Sequence, residues 1–589
     1  MEKWMQVMRR ADFKGLAQRF GLDPVTIRLM VNRGVNTEEK IERFLYADWR
    51  QEYDPYQMKG AEQAADMLQQ AIRRGEKIRI ASDFDVDGIF SGQILYEGIR
   101  ACGGDVSVKA PNRVKEGYGV NAGMMEAAAE DGVGTVITCD NGIAAFEAIR
   151  RAKELGLTVI VTDHHECQYE EKEEGRVLKL PEADVIVNPH QPDCSYPFEG
   201  LCGAGVAYKV IRILYEKCGI PREESLRLLE YVGIATVADV MDLVDENRIF
   251  VKEGLARLMH TENAGLRALI RACGLEGKTL TAYHIGFILG PCFNSAGRLD
   301  TVDIAFGLLR STEAAAYPMA EKLREMNESR KGLTRQGEQL AIAWVESQPA
   351  MDDVLVIPLP DLHESVAGIV AGRIRERYHH PVIVLTRGAE GFKGSGRSIP
   401  AWNMFEGLMR CRPLMTKFGG HPMAAGLSLP EENIDLLREQ INAETGLTED
   451  GFVPIIRIDV PMPIGYITEE RIQEFSLLEP CGKGNTKPLF AESRFHILWA
   501  RILGKNRNVL RMTVENEQKS RMDALYFGDI AAWEEAVREN FGVTALQALY
   551  GGRPAGVTMS LAYYPEVNEY MGRRSLQIVV EHWRVVRQP

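Results

Sequence analysis

No apolar run in this chain reaches the ~18 residues needed to cross a bilayer, and its first six residues, MEKWMQ, hold no apolar core of the kind a secretion signal carries. These absences predict a cytoplasmic protein without membrane contact. The ten cysteines form no C-x-x-C pair, which argues against a zinc ribbon and against a disulfide framework and leaves mostly small buried thiols. There is no fixed-period repeat and no low-complexity tract. Basic residues are in deficit, 70 Lys+Arg against 83 Asp+Glu for a net charge of −13, which weighs mildly against a nucleic-acid partner. That sum conceals a local reversal: residues 371–420 hold nine Lys/Arg and three Asp/Glu.

At 589 residues, 45% hydrophobic and 26% charged, the chain exceeds one hydrophobic core, and roughly 150 residues per domain gives three or four. Residues 1–60 read as an N-terminal extension packed on the residues just after it, with Trp4, Phe13, Phe20, Phe44 and Trp49 as anchors. In residues 61–312, strand patterns alternate with helical ones, the mark of a doubly wound parallel sheet. Residues 313–347 are rich in Ala, Leu, Glu, Lys and Arg, with Pro318 the one interruption, and predict a long connecting helix. Residues 348–447 form a second α/β unit, and 448–589 turn to short alternating runs that predict a small β-rich barrel or sandwich.

Three strand patterns in the first α/β unit run straight into aspartate: residues 77–82 into Asp83, Asp85 and Asp87, residues 135–139 into Asp140, and residues 158–162 into Asp163, His164 and His165. Parallel strands put their carboxyl ends on one edge, where ligands of open α/β sheets bind. An EF-hand is a poor reading of D-x-D-x-D-G here, because position twelve is Ile94 and a strand precedes. Asp and Gly after a strand can simply cap the next helix, but adjacent carboxylate and imidazole donors suit Mn²⁺, Mg²⁺ or Zn²⁺. Asp239, closing the apolar segment 234–238, adds a further donor. So many donors exceed one ion and fit a two-metal cluster. The two histidines serve one site only if the chain has left the strand by residue 164.

In the second unit, the small residues of 363–373 sit at a strand-to-helix junction where free amides suit phosphate. The segment Gly394-Ser395-Gly396-Arg397-Ser398 adds a glycine-rich loop with a bidentate cation, and residues 418–426 add a glycine turn bearing His421. Taken singly, each is equally a tight turn. In the last domain, residues 495–522 carry six Lys/Arg and two Glu with Trp499 among them, the mixture of cations and aromatics that binds single strands.

These motifs resemble the DHH phosphoesterase superfamily, named for the triplet present here as Asp163-His164-His165. The resemblance extends through Val187-Asn188-Pro189-His190, Val237-Ala238-Asp239-Val240 and the segment Gly290 to Asp300, and reaches the RecJ family of bacterial single-strand-specific 5′→3′ exonucleases. It implies Asp85, Asp87, Asp140, His164, His165 and Asp239 as the catalytic metal-site residues, with Asp83 and Asp163 supporting, and two divalent ions, Mn²⁺ or Mg²⁺. It implies Arg373, Ser395, Arg397 and Ser398 around a 5′-terminal phosphate, and His363 and His421 nearer the scissile one. Arg298 and Asn294 would reach the scissile phosphate from the first lobe. It further implies an oligonucleotide-binding (OB) module at the C-terminus, single-stranded DNA with a 5′ end as substrate, and a monomer. A single-strand-binding protein and a repair helicase are the implied partners. The chain departs from the family at Ala81, where many relatives have His, and at Cys292, where Arg is usual; weaker binding of one metal is expected from the first. Two alternatives share the motifs: a phosphodiesterase of oligonucleotides or cyclic dinucleotides, and a repair scaffold that has lost catalysis.

Overall fold

The computed structural model describes residues 2–111, 119–172, 175–299, 301–388, 391–570 and 572–586, so Asp300 lies outside the described residues. The chain divides into two compact units, residues 51–242 with 246–454, and residues 2–50 with 243–245 and 455–589. Among the described residues no helix is long and apolar enough to cross a membrane.

The larger unit begins on a five-stranded sheet of β1 (Lys77–Ser82), β2 (Asp105–Lys109), β3 (Val133–Cys139), β4 (Thr158–Thr162) and β5 (Val185–Val187). All four pairings are parallel, in the order β2-β1-β3-β4-β5. The strands read as β-branched runs because both faces are covered, β1 showing buried side chains at five successive positions. Strand order reverses between β1 and β3, and at such a switch point the outgoing loops diverge and leave a crevice at the carboxyl edge.

Helices α1 (Val86–Ala101), α2 (Gly203–Lys217), α3 (Leu229–Ala238) and α4 (Gly290–Leu299) frame that edge. α2 is anchored by an ion network: Lys209 Nζ lies 3.1 Å from Glu52 Oε2 and 2.7 Å from Glu246 Oε1, with all three side chains fully enclosed. Helix α5 (Glu313–Glu346) runs on to the second lobe, matching the expected connecting segment closely.

That lobe is built on β6 (Leu355–Pro358), α6 (Glu364–Tyr378), β7 (Val382–Gly388), β8 (Gly391–Arg397), β9 (Lys417–His421) and β10 (Ala424–Leu429). The sheet order is β9-β10-β8-β7-β6, parallel between β6 and β7 and antiparallel elsewhere. Opposite residues in register share a face, so Arg397, Ala424 and His421 form one row, and Ser395, Gly426 and Gly419 the next.

In the smaller unit, β11 (Phe490–Leu503), β12 (Val509–Glu515), β13 (Arg521–Tyr526), β14 (Thr558–Tyr570) and β15 (Arg573–Val585) close into a barrel in the order β11-β12-β13-β15-β14-β11, with β13 and β15 parallel. Helices α7 (Ile530–Phe541) and α8 (Val543–Tyr550) bridge β13 to β14. This is the five-stranded OB arrangement. The N-terminal segment differs from the expectation that it packs on the residues just after it. Ile27, Leu29, Met30, Val31, Ile41 and Phe44 enter the barrel's core, and strand Lys3–Gln6 pairs in parallel with Ile455–Ile458. Its helices are amphipathic, and this core buries their apolar sides.

Candidate metal centre and active site

Each donor is set by the element beneath it. After β1 the chain turns at residues 83–85, and Asp85 caps α1, its carboxylate accepting from the Gly88 amide at 3.1 Å. Gly88 is required there, since a Cβ would lie 2.5 Å from the Asp83 carbonyl oxygen. Asp87 accepts from the Gly203 amide at 2.6 Å and the Ala204 amide at 2.8 Å, the first free donors of α2. A side chain at Gly203 would strike Asp140 Cβ at 2.8 Å, so the helix start approaches this closely only as glycine. Asp140 follows β3 with a left-handed backbone, φ 59°, an uncommon conformation that residues of its type tolerate and that concentrates at functional sites.

β4 ends at Thr162, so residues 163–165 have left the strand, and both imidazoles face one place with ring centroids 4.4 Å apart. His164 Nε2 lies 3.1 Å from Asp140 Oδ1, 3.6 Å from Asp87 Oδ2 and 3.8 Å from Asp239 Oδ2. Asp239 stands where α3 ends. Donor atoms of Asp140, His164 and His165 fall within 4.8 Å of one another, as do those of Asp87, His164 and Asp239.

Asp163 has a different task. Oδ1 accepts from the amides of His164 (2.7 Å) and His165 (3.1 Å) and faces His165 Nδ1 at 2.7 Å, while Oδ2 accepts from the Ile143 amide at 2.9 Å. The carboxylate is occupied by the loop it shapes, so it orients His165 by Nδ1 and leaves Nε2 as the outward donor. This corrects its placement among the ligands. The motif at 187–192 braces the same loop, with Asn188 Nδ2 donating to the His165 carbonyl at 2.9 Å.

The electrostatics call for cations. Burial, then the neighbouring Asp85 charge, raises Asp83 to about 7. Burial and the Asp87 charge raise Asp85, and the same two causes, burial foremost, raise Asp140 well above the carboxylate range. Burial lowers His164, keeping it neutral and able to bind a metal. At Asp163 burial acts upward but is outweighed by the His165 hydrogen bond and charge, so the group is lowered; that hydrogen bond raises His165 to about 9. Buried carboxylates that repel one another beside neutral imidazole form an oxygen and nitrogen donor set that fits Mn²⁺ or Mg²⁺.

A cavity of about 680 Å³ opens on these groups, lined by Asp83, Asp140, His164, His165 and His190 from the first lobe and by His421 from the second. Arg298 on α4 reaches the second lobe, Nη1 donating to the Ser365 carbonyl at 3.0 Å, and His363 caps α6. Asn294 accepts from the Val86 amide at 3.2 Å, so it supports the aspartate loop. Ser395 and Arg397 share the sheet face of His421. Two expected phosphate contacts are not brought to this face. Ser398 is buried with its hydroxyl donated to the Trp402 carbonyl at 2.7 Å, and Arg373, further along α6, is ion-paired to Glu338 of α5. The turn and helix geometry outweighs the proximity in sequence that suggested them.

Sequence reasoning passed over Asn141, dismissed as part of a turn. It lines the cavity, and both its side-chain polar atoms are buried without a partner. It also passed over Gly203 and Ala204, whose signal is the run of small residues opening α2.

Family models match at residues 77–236 (DHH family, N-terminal domain), 352–446 (DHHA1 domain) and 458–582 (RecJ OB domain). The single-stranded-DNA-specific exonuclease RecJ of Bacillus subtilis is 35% identical over 573 residues, covering 96% of this chain and 69% of that protein. Its counterpart in Salmonella typhimurium is 32% identical over 99% of both chains. The crystal structure of Thermus thermophilus RecJ with Mn²⁺ matches at TM-score 0.80 and 26% identity, covering 99% of this chain and 79% of that one. The chain belongs to the RecJ family of single-stranded-DNA-specific exonucleases.

Proposed function

We infer that this protein is a metal-dependent single-strand-specific DNA exonuclease that works from the 5′ end and releases 5′-mononucleotides. The observation that carries the reading is the buried carboxylate and imidazole cluster at the β1/β3 switch point, opening into a cavity whose far wall bears His421. Asp85, Asp87, Asp140, His164, His165 and Asp239 would hold two divalent ions, with Asp83 and Asp163 supporting. Such ions, when bound, lower the pKa of water and neutralise phosphoryl charge. His421 protonates the departing 3′ oxygen from the opposite wall.

Polarity follows from register. Arg397 and His421 lie in one row, two strand spacings or about 10 Å apart, a separation on the scale of one nucleotide. A 5′-terminal phosphate held by Ser395 and Arg397 leaves the next phosphodiester beside His421. The C-terminal barrel supplies a surface for the trailing strand, and its β12 carries Arg511 with the guanidinium 5.9 Å from the Trp499 ring centroid. A role in DNA repair and recombination, as a cytoplasmic monomer beside a single-strand-binding protein and a repair helicase, fits this activity.

Mn²⁺ with a 5′-phosphorylated single strand labelled at its 3′ end, the matching duplex and a dinucleotide tests the reading. Stepwise shortening of the single strand alone is expected. Cleavage of the dinucleotide alone would make this a scavenging phosphodiesterase, and no cleavage at any metal concentration would leave a scaffold.

A further inference from the structure

Cys292 stands where its relatives usually have Arg, and the structure gives it a partner. Its Sγ lies 3.9 Å from Sγ of Cys273. Cys292 is enclosed near the start of α4, its thiol donating to the Ile288 carbonyl at 3.2 Å. Cys273 is partly exposed at the end of helix Ala264–Ala272, followed by Gly274 at φ 68°. We propose that Cys273 and Cys292 are a peroxide-reactive dithiol whose oxidation to a disulfide disturbs the nuclease site through α4.

The two sulfurs have unequal settings. The contact with Cys292 lowers the Cys273 thiol, and the nearby charges of Arg324 and Lys331 add to this, while the same contact and burial raise Cys292. The more exposed sulfur is therefore the more ionised, as in redox-sensing cysteines with an adjacent resolving thiol. The other thiol contact, Cys102 with Cys218, has no such asymmetry of access, since both are partly exposed, and burial raises Cys102.

The chemistry balances. Cys273 thiolate attacks hydrogen peroxide, forming an S–O bond as the O–O bond breaks and hydroxide leaves, to be protonated to water. Cys292 sulfur then attacks the sulfenic sulfur, forming S–S as the S–O bond breaks, and a second water leaves. Two thiols give up two electrons, and one peroxide becomes two waters.

Bonding requires the sulfurs to close from 3.9 Å to about 2.05 Å. Cys292 shares α4 with Asn294, which holds the Val86 amide of the aspartate loop, and with Arg298, which reaches Ser365. A shift of about 1 Å in such a framework costs on the order of a hundredfold in rate.

The test treats the full-length reduced protein with peroxide and maps its peptides without reduction. Expected is a Cys273–Cys292 peptide lighter by two hydrogens and formed before any Cys102–Cys218 peptide, with single-strand turnover falling about tenfold or more and recovering in dithiothreitol. Cys273→Ser should turn over normally before and after peroxide, and Cys292→Ala should halt at a sulfenic acid that dimedone captures on Cys273. Oxidation of Cys273 without the cross-link, or a cross-linked protein that turns over at the reduced rate, would overturn the proposal. Peptide mapping needs no turnover, so a chain that cuts no DNA when reduced would sink the nuclease reading and leave the dithiol to be decided by mass.

Discussion

Asp140 stands closest to His164 of the three carboxylates around that ring, and nothing in the protein neutralises its charge. Replacing it with Ala removes a donor from the set it forms with His164 and His165 while leaving the second lobe and the barrel untouched. Turnover should fall by more than about 100-fold, the most that loss of a mere supporting partner costs, with single-strand affinity by fluorescence anisotropy unchanged. A tenfold loss of binding instead would mean that Asp140 shapes the DNA path. His421 makes a separate prediction, because it lies across the cavity from the metal donors. His421→Ala should lower kcat by about 10²- to 10⁴-fold, the range for loss of a general acid, at nearly constant KM for a 5′-phosphorylated strand. A raised KM with kcat intact would move His421 into the phosphate grip.

At the scale of elements, the buried ion network fixes α2, and α2 in turn offers its first amides to Asp87. Lys209 is fully enclosed between Glu52 and Glu246, and the Tyr196 hydroxyl also donates to Glu246 at 2.5 Å. Lys209→Met strands two buried carboxylates and should cost about 3–5 kcal/mol. Adding Glu52→Gln and Glu246→Gln should recover part of that loss in urea unfolding, and no recovery would show that the lysine stem, rather than its charge, supports the helix. The strands feeding the site were legible because each is a short β-branched run covered on both faces. The barrel was less so. Its strands β11, β14 and β15 are 14, 13 and 13 residues long, yet register shifts at Ile497/Trp499, Glu492/Phe495 and Ala562/Tyr563 break the alternation that period-two reading depends on. The pairing of Lys3–Gln6 with Ile455–Ile458 spans most of the chain, and no local pattern encodes it. Ser398 and Arg373 were misassigned for a related reason: sequence shows which residues are near a loop, not which carbonyl or carboxylate their side chains have already found.

For the whole molecule, the decisive balance is between protons and metal at one cluster. In the metal-free protein the folded state holds Asp83 at about 7 and raises Asp85 and Asp140, against an unfolded value near 3.9. The folded chain thus binds more protons than the unfolded one above about pH 4, and stability falls as pH rises through that window. His165, raised to about 9, contributes stability that is complete below its unfolded value near 6.5 and lost as pH rises through 9. Asp163 is lowered, so its contribution is present above about pH 4 and lost only in acid. The first two effects agree in sign, and chelator-treated protein should melt at a lower temperature at about pH 8.5 than at about pH 5.5. Divalent ions relieve the carboxylate repulsion and compete with the protons. Mn²⁺ at a hundredfold excess over its Kd stabilises by about 2.7 kcal/mol, and at one fixed concentration its effect on Tm should be larger at the higher pH. Ala81 bears on the same balance: it is fully enclosed beside Val136 and Val161, so Ala81→His must overpack, at about 1–3 kcal/mol, before it can add a donor. If that variant binds Mn²⁺ no more tightly than the parent in calorimetry at pH 8.5, the alanine is no handicap to the metal site, and the carboxylates and imidazoles already present complete it.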